Sequence, residues 1–295
     1  MIKVGMSIYS LFRAIRDGRL TPLDAVAWIA DHGGEHIEIV PGNVLAMDDP
    51  DFVGKLRAKA DACGLPISCY SIGGDFLSGG AEHDHPITEK EYDQEIERLK
   101  KQVDIAVRLG AKAMRHGVCS WTDEKGRTPE QFEVDVRQVV RGCRAVADYA
   151  ARSGITTSVE NHGRYFQASA RIRQLVKLVD RPNYRTTIDV GNFTGIDELP
   201  QAALLDLIGF TSGVIHFKDY YIRDWIPAGK GFGRTAHGRY TRGAIPGFGD
   251  LNMREIVRII REAKFDGFIS IEYEGKEDCL EGAELSLENV RAMFA

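Results

Sequence analysis

The chain has 295 residues, a formal net charge of -5 and five cysteines (Cys63, Cys69, Cys119, Cys143 and Cys279) that form no CxxC pair. The acidic balance lacks the basic excess of a nucleic-acid binder, and an odd, scattered set of cysteines speaks against a disulfide framework or a zinc ribbon and for buried, reduced thiols. No apolar stretch reaches the roughly 18 residues of a membrane span, and MIKVGMSIYS opens directly as a strand, so a cytoplasmic protein acting on a small molecule, without nucleic acid or membrane, is expected.

Strand-like and helix-like runs alternate from end to end with no linker between them, which reads as one domain over 1–295. KVGMSIY is the first strand. It leads into TPLDAVAWIADHGG, where Thr21 can cap the helix, Pro22 suits its first turn and Gly33 suits the stop. EHIEIV is the second strand, DFVGKLRAKADACG the next helix, ended by Gly64, and PISCYSI the third strand. TEKEYDQEIERLKKQVDIAVRLG sets Ile96, Leu99, Val103, Ile105, Ala106 and Leu109 at helical spacing ahead of the strand KAMRHGV. TPEQFEVDVRQVVRGCRAVADYAARSG repeats the device, with Thr128, Pro129 and Gln131 at its start. ITTSVENHG, YRTTIDVGNF, GVIHFKDYY and GFISIEYEG are strands five to eight, separated by helices near SARIRQLVKLVD, LPQAALLDLIG and LNMREIVRIIREAKF, and AELSLENVRAMFA closes the ring. Eight βα units in strict alternation predict a parallel (β/α)8 TIM barrel, for which about 250 residues is typical. An open doubly wound sheet is the alternative, disfavoured because no glycine-rich phosphate fingerprint follows the first strand.

The last four strands carry the chemistry. Side chains alternate between faces along a strand, so Glu160 and His162 share the face opposite Ile155, Thr157 and Val159. The same parity turns Asp189, His216 with Lys218, and Glu272 inward at the C-terminal ends of their strands, where barrel enzymes keep their active sites. A lone glutamate at a strand end is ordinarily solvated or salt-bridged; four such residues at matching depth on consecutive strands outweigh that reading. Three converging carboxylates repel one another, and with an imidazole beside them they predict a site for one divalent metal ion. Oxygen and nitrogen ligands without thiolate favour Mn²⁺ or Mg²⁺ and allow Co²⁺ or Zn²⁺.

On the motifs SVENHG, TIDVGN, HFKD, PGFGDLN and ISIEYEG the chain resembles, over essentially its whole length, the xylose-isomerase-like TIM-barrel sugar isomerases and epimerases. The resemblance implies that Glu160, Asp189, His216 and Glu272 hold the metal and that Glu160 and Glu272 also act as acid and base. It implies an isomerase or epimerase working by proton transfer next to a carbonyl through an enediolate. The family also holds dehydratases and lyases acting on keto-sugars and keto-cyclitols, which share that first step, and endonuclease IV. The nuclease needs three metals and further histidines, whereas here the third strand ends in YSIGG and Asn192 replaces another expected ligand. A non-enzymatic sugar-binding barrel is disfavoured by the presence of both glutamates.

Substrate contacts are expected from His162, Lys218 and Asn192, the last standing where many relatives resembling ketose 3-epimerases have a histidine. His116 and Glu38, near the ends of strands four and two, are further candidates, each with a structural alternative. The segment at about 221–249 reads as a long glycine-rich loop carrying Arg223, Lys230, Arg234, Arg239 and Arg242. Loops of this length usually serve as lids or binding elements. A basic one suits an anionic substrate, such as a sugar phosphate or sugar acid, or an acidic patch on a second copy in a homo-oligomer. Arg223 is expected to reach the substrate, and Trp225 and Phe232 to pack.

Overall fold

The computed structural model describes residues 1–79, 85–119, 128–228 and 231–295. Eight parallel strands close into a barrel: β1 Lys3–Ser7, β2 Ile37–Ile39, β3 Ile67–Ile72, β4 Ala113–His116, β5 Thr156–Glu160, β6 Tyr184–Asp189, β7 Thr211–Phe217 and β8 Phe268–Ile271. Each strand pairs with its neighbours in sequence, and β8 closes on β1 with Lys3 opposite Phe268 and Met6 opposite Ile271. The outward face is β-branched and buried beneath the helices, as at Ile37, Ile39, Val159, Ile188, Ile215 and Ile269. Inside, Cys69, Ala113, Val214 and Phe268 make a small apolar plug, above which the inward residues turn polar.

The helices predicted from apolar spacing are present, and their starts follow from local chemistry. At Pro22–Asp31 the Thr21 side chain accepts from Asp24 N–H while Asp24 answers the Thr21 N–H. Thr88 and Glu91 repeat this box at Glu89–Leu109, and Thr128 caps Pro129–Ala151 through the Gln131 N–H. Gly33 and Gly64 take φ of 82° and 69° just past their helices, a conformation that favours glycine. Leu99, Val103, Ile105, Ala106 and Leu109 are buried, as their spacing requires. No helix among the described residues is long and apolar enough to cross a membrane. None of the five cysteines is in a disulfide, and Cys69, Cys143 and Cys279 are buried whereas Cys63 and Cys119 are half-buried.

Two segments depart from the sequence reading. Between β1 and the helix Pro22–Asp31 the chain inserts a 3₁₀ turn, Ile8–Leu11, and a short helix, Phe12–Arg16, which bury Ile8, Leu11 and Phe12. The expected loop at about 221–249 contributes strands to a small antiparallel sheet. Asp219–Arg223 pairs with Tyr240–Ala244, Arg223 standing opposite Tyr240, and Gly233–Arg234 adds a third strand. Its glycines and arginines suggest a loop, but Tyr220, Tyr221, Ile222, Tyr240 and Thr241 supply the aromatic and β-branched content of strands. Phe232 lies beneath the Arg242 guanidinium, 5.2 Å from ring centre to charge, whereas Trp225 is 74% exposed and does not pack as expected. Lys230 lies outside the described residues. The Asp219 carboxylate ties this sheet to PGFGDLN by accepting the N–H groups of Tyr220 (2.8 Å), Gly247 (2.9 Å), Gly249 (2.9 Å) and Leu251 (3.2 Å).

Candidate metal centre

Glu160 and Asp189 end β5 and β6, His216 is the penultimate residue of β7, and Glu272 follows β8. Register sets Asp189 opposite His216 and His216 opposite Ser270, so the four side chains meet at one level. One ligand atom from each lies within 4.8 Å of all the others, and all four residues are buried. His216 Nδ1 has no hydrogen bond; it faces Glu160 Oε1 at 3.5 Å, Glu272 Oε1 at 3.7 Å and Asp189 Oδ2 at 3.8 Å. These separations are long for hydrogen bonds. They suit donors gathered around one cation whose bonds are about 2.0–2.2 Å long.

The donors are oriented from behind. His216 Nε2 donates to Glu38 Oε1 at 3.0 Å, because a carboxylate can only accept, and this leaves the Nδ1 lone pair aimed inward. Glu38 is itself held by the Ser71 hydroxyl and by Ser270 Oγ at 2.5 Å. Asp189 Oδ1 accepts the N–H groups of Gly191 (2.8 Å) and Asn192 (2.9 Å). Asn161, from the SVENHG motif, brackets the Asp189 backbone with two bonds of 2.8 Å. Arg115 Nη2 meets Glu160 Oε2 at 2.6 Å and Asn192 Nδ2 donates to Glu160 Oε1 at 2.8 Å. Lys218 Nζ reaches Glu272 (2.8 Å), Asp189 (3.1 Å) and Glu274 (3.1 Å).

Five carboxylates, Glu38, Glu160, Asp189, Glu272 and Glu274, thus surround two permanent cations, Arg115 and Lys218. Burial opposes charge on Glu160, but Arg115 and His216 hold its carboxyl well below the ordinary range. Burial, with Glu160 and Glu272 nearby, pushes Asp189 up to about 7 despite Lys218. Against its own burial, His216 is driven well above its usual value by Glu272, Glu38 and Glu160. Without a metal the site therefore favours a proton on His216 and partial protonation of Asp189 near neutral pH. A divalent cation supplies the positive charge that those protons supply, so these donors fit one such ion.

A cleft of about 430 Å³ opens above the centre, lined by His162, Asn192, Tyr220, Glu274 and residues of the small sheet. Asn192 and Glu274 join it to the centre through Glu160 and Lys218. His162 stands in its wall, and burial lowers its pKa to about 4, so its imidazole is neutral. Two residues expected at the substrate lie away from the cleft. His116 points outward into the helix layer beside Phe76 and Tyr184, because Arg115 holds the inward position on β4. Arg223 turns away to Asp250 at 2.5 Å and does not line the cleft. The sequence reading missed Arg115 and Glu274. Glu274 shares the face of Glu272 two residues earlier, a usable signal, whereas Ala113 and Met114 are both apolar and leave the parity of β4 undecided.

The sequence profile described as "Xylose isomerase-like TIM barrel" matches residues 26–294, and the chain belongs to that family. No curated protein sequence matches it. Among solved structures it is similar to 3-keto-D-glucoside 4-epimerase YcjR of E. coli, with 16% identity over 99% of this chain and 100% of that one and a TM-score of 0.72. The probable 3-DHS dehydratase AsbF of Bacillus anthracis is 17% identical over 98% and 99%, with a TM-score of 0.71. A xylose isomerase-like TIM barrel protein of Mycobacterium smegmatis, solved in complex with magnesium, is 19% identical over 92% and 89%, with a TM-score of 0.64. The structural neighbours thus include both epimerases and a dehydratase of this fold.

Proposed function

We propose that the protein is a divalent-metal-dependent isomerase or epimerase of a keto-sugar or sugar-derived substrate, with Glu160, Asp189, His216 and Glu272 as metal ligands. The observation that carries this is the unbonded His216 Nδ1 facing three carboxylates at 3.5–3.8 Å. Mg²⁺ or Mn²⁺ suits the donors, and the magnesium-bound relative supports that choice. When bound, the ion polarises a ketone oxygen and its neighbouring hydroxyl and so acidifies the hydrogen between them. Glu160, kept ionised by Arg115, accepts that proton. Glu272 stands three strands further around the barrel and approaches from another side, where it can return a proton to the opposite face. Lys218, in contact with Glu272, adds positive charge beside the enediolate. Asn192 and His162, in the cleft wall, are placed to bind substrate hydroxyls.

Incubating metal-loaded protein with ketoses, keto-sugar acids and inososes in D₂O, and following deuterium uptake by mass spectrometry, tests the reading. Uptake with inverted or isomerised product is expected. An unsaturated product absorbing in the ultraviolet would move the assignment to the dehydratase alternative, and absence of exchange across the panel would remove it. Asp189→Ala and His216→Ala should lose metal and exchange together while remaining folded; full metal occupancy in both would sink the ligand assignment.

A further inference from the structure

The cleft above the centre is charged in one sense. Arg164, Arg234, Arg242 and Lys276 line it against a single carboxylate, Glu274. That carboxylate is already taken by Lys218 Nζ at 3.1 Å and by the Tyr220 hydroxyl at 2.9 Å. None of the four lining cations has an ion pair among the described residues. Arg223 and Arg239, outside the cleft, behave differently and pair with Asp250 and Asp224. The sheet's outer arginines are thus ion-paired, whereas those of the cleft are not, although Arg242 and Glu277 attract at longer range.

These cations are also held in place. The Arg242 guanidinium lies 5.1 Å from the Tyr221 ring and 5.2 Å from the Phe232 ring, and its Nε is buried with no acceptor. Arg164 Nη2 donates to the Arg234 carbonyl at 2.8 Å, so it bridges the β5 loop to the small sheet. Its backbone sits at φ 60° after Gly163 at 79°, a strained conformation of the kind that clusters at ligand-binding positions. Arginine presents a planar fork matched to carboxylate and phosphate oxygens.

We infer that the substrate carries an anionic group, a carboxylate or a phosphate, that docks on Arg242 and Arg164 while its keto end lies over Glu160 and Glu272. The placement of the keto end rests on the isomerase or epimerase reading; the anion site does not. Asn192 and Glu274 form the wall that touches the centre, and Arg164 and Arg242 line the same cleft, so one substrate can reach both.

Calorimetric titration of the Mg²⁺-loaded protein with glycerate, glycerol 3-phosphate and glycerol tests this without turnover, since the three probes share a carbon skeleton and differ in charge. At least one anion is expected to bind roughly tenfold or more tightly than glycerol and to weaken as salt rises. Arg242→Gln and Arg164→Gln should each lose about fivefold or more of that affinity while titrating Mg²⁺ like the parent protein, which also verifies folding. Preference for glycerol 3-phosphate would identify a phosphate ester, and preference for glycerate a sugar acid. Binding of neither anion above glycerol, or unchanged binding in both variants, would overturn the inference. Anion binding without deuterium exchange would preserve it and remove the isomerase reading, and exchange confined to neutral sugars would do the reverse.

Discussion

Replacing Glu38 by glutamine alters one acceptor and almost no volume, which makes it a clean probe of how His216 is held. The amide weakens the bond to Nε2–H and lowers the basicity of Nδ1, so Mn²⁺ affinity should fall about 10–100-fold, measured by chelator competition, with the fold unchanged by circular dichroism. Proton release gives a second test. Because Asp189 rests at about 7 and His216 well above its ordinary value, metal competes with protons at both, and affinity should fall as pH drops, more steeply below about 7. Calorimetry in buffers of different ionisation heat should count up to two protons released. Arg115 gives a third. It favours the Glu160 carboxylate, so Arg115→Met should raise that pKa and move the acidic limb of the rate–pH profile upward by about one unit or more. The convergence of Glu160, Asp189, His216 and Glu272 was legible because strand parity is a strict period of two and most of their neighbours are apolar. Arg115 was not, because β4 offers no apolar–polar alternation, nor was the pairing of Arg223 with Asp250, which stand 27 residues apart.

At the scale of elements, the small sheet over the mouth depends on two contacts that a single change removes. Asp219→Ala would leave the N–H groups of Gly247, Gly249 and Leu251 without their acceptor, a loss of about 3 kcal/mol expected in urea unfolding if these groups stay buried. Gly243 has no room for a side chain, since a Cβ there would collide with the Glu274 carbonyl. Gly243→Val should push the Tyr240–Ala244 strand outward, raise KM and expose the sheet to protease, while Mg²⁺ binding in the barrel persists. Helices were readable because caps and apolar spacing are local signals. This sheet was not, because its pairing joins Asp219 to Ala244 and Arg223 to Tyr240 across a glycine-rich stretch, and nothing local specifies that register.

For the whole molecule, acid stability should follow the buried histidines. Burial lowers both His36 and His116 to about 4. Their ordinary value is 6.5, so between those limits the unfolded chain binds more protons than the folded one, and their contribution is intact above about pH 6.5 and lost as pH falls toward 4. Each contributes a slope of at most about 1.4 kcal/mol per pH unit. Urea midpoints at pH 7 and pH 5 should therefore diverge less in His36→Gln than in the parent protein. The eight-strand ring itself was legible from alternation alone, since eight units leave few other closures. One consequence of that ring concerns time. Glu38 and His216 are 178 positions apart and Glu38 and Ser270 are 232 apart, so the brace behind the imidazole joins the first quarter of the chain to its last third. Contacts of such separation form late in folding. Glu160, Asp189, His216 and Glu272 can gather on the second half of the barrel earlier, but the brace behind His216 waits until β8 meets β1. Tight metal capture would then report the moment of ring closure, and its delay relative to helix formation would measure how long the open barrel persists.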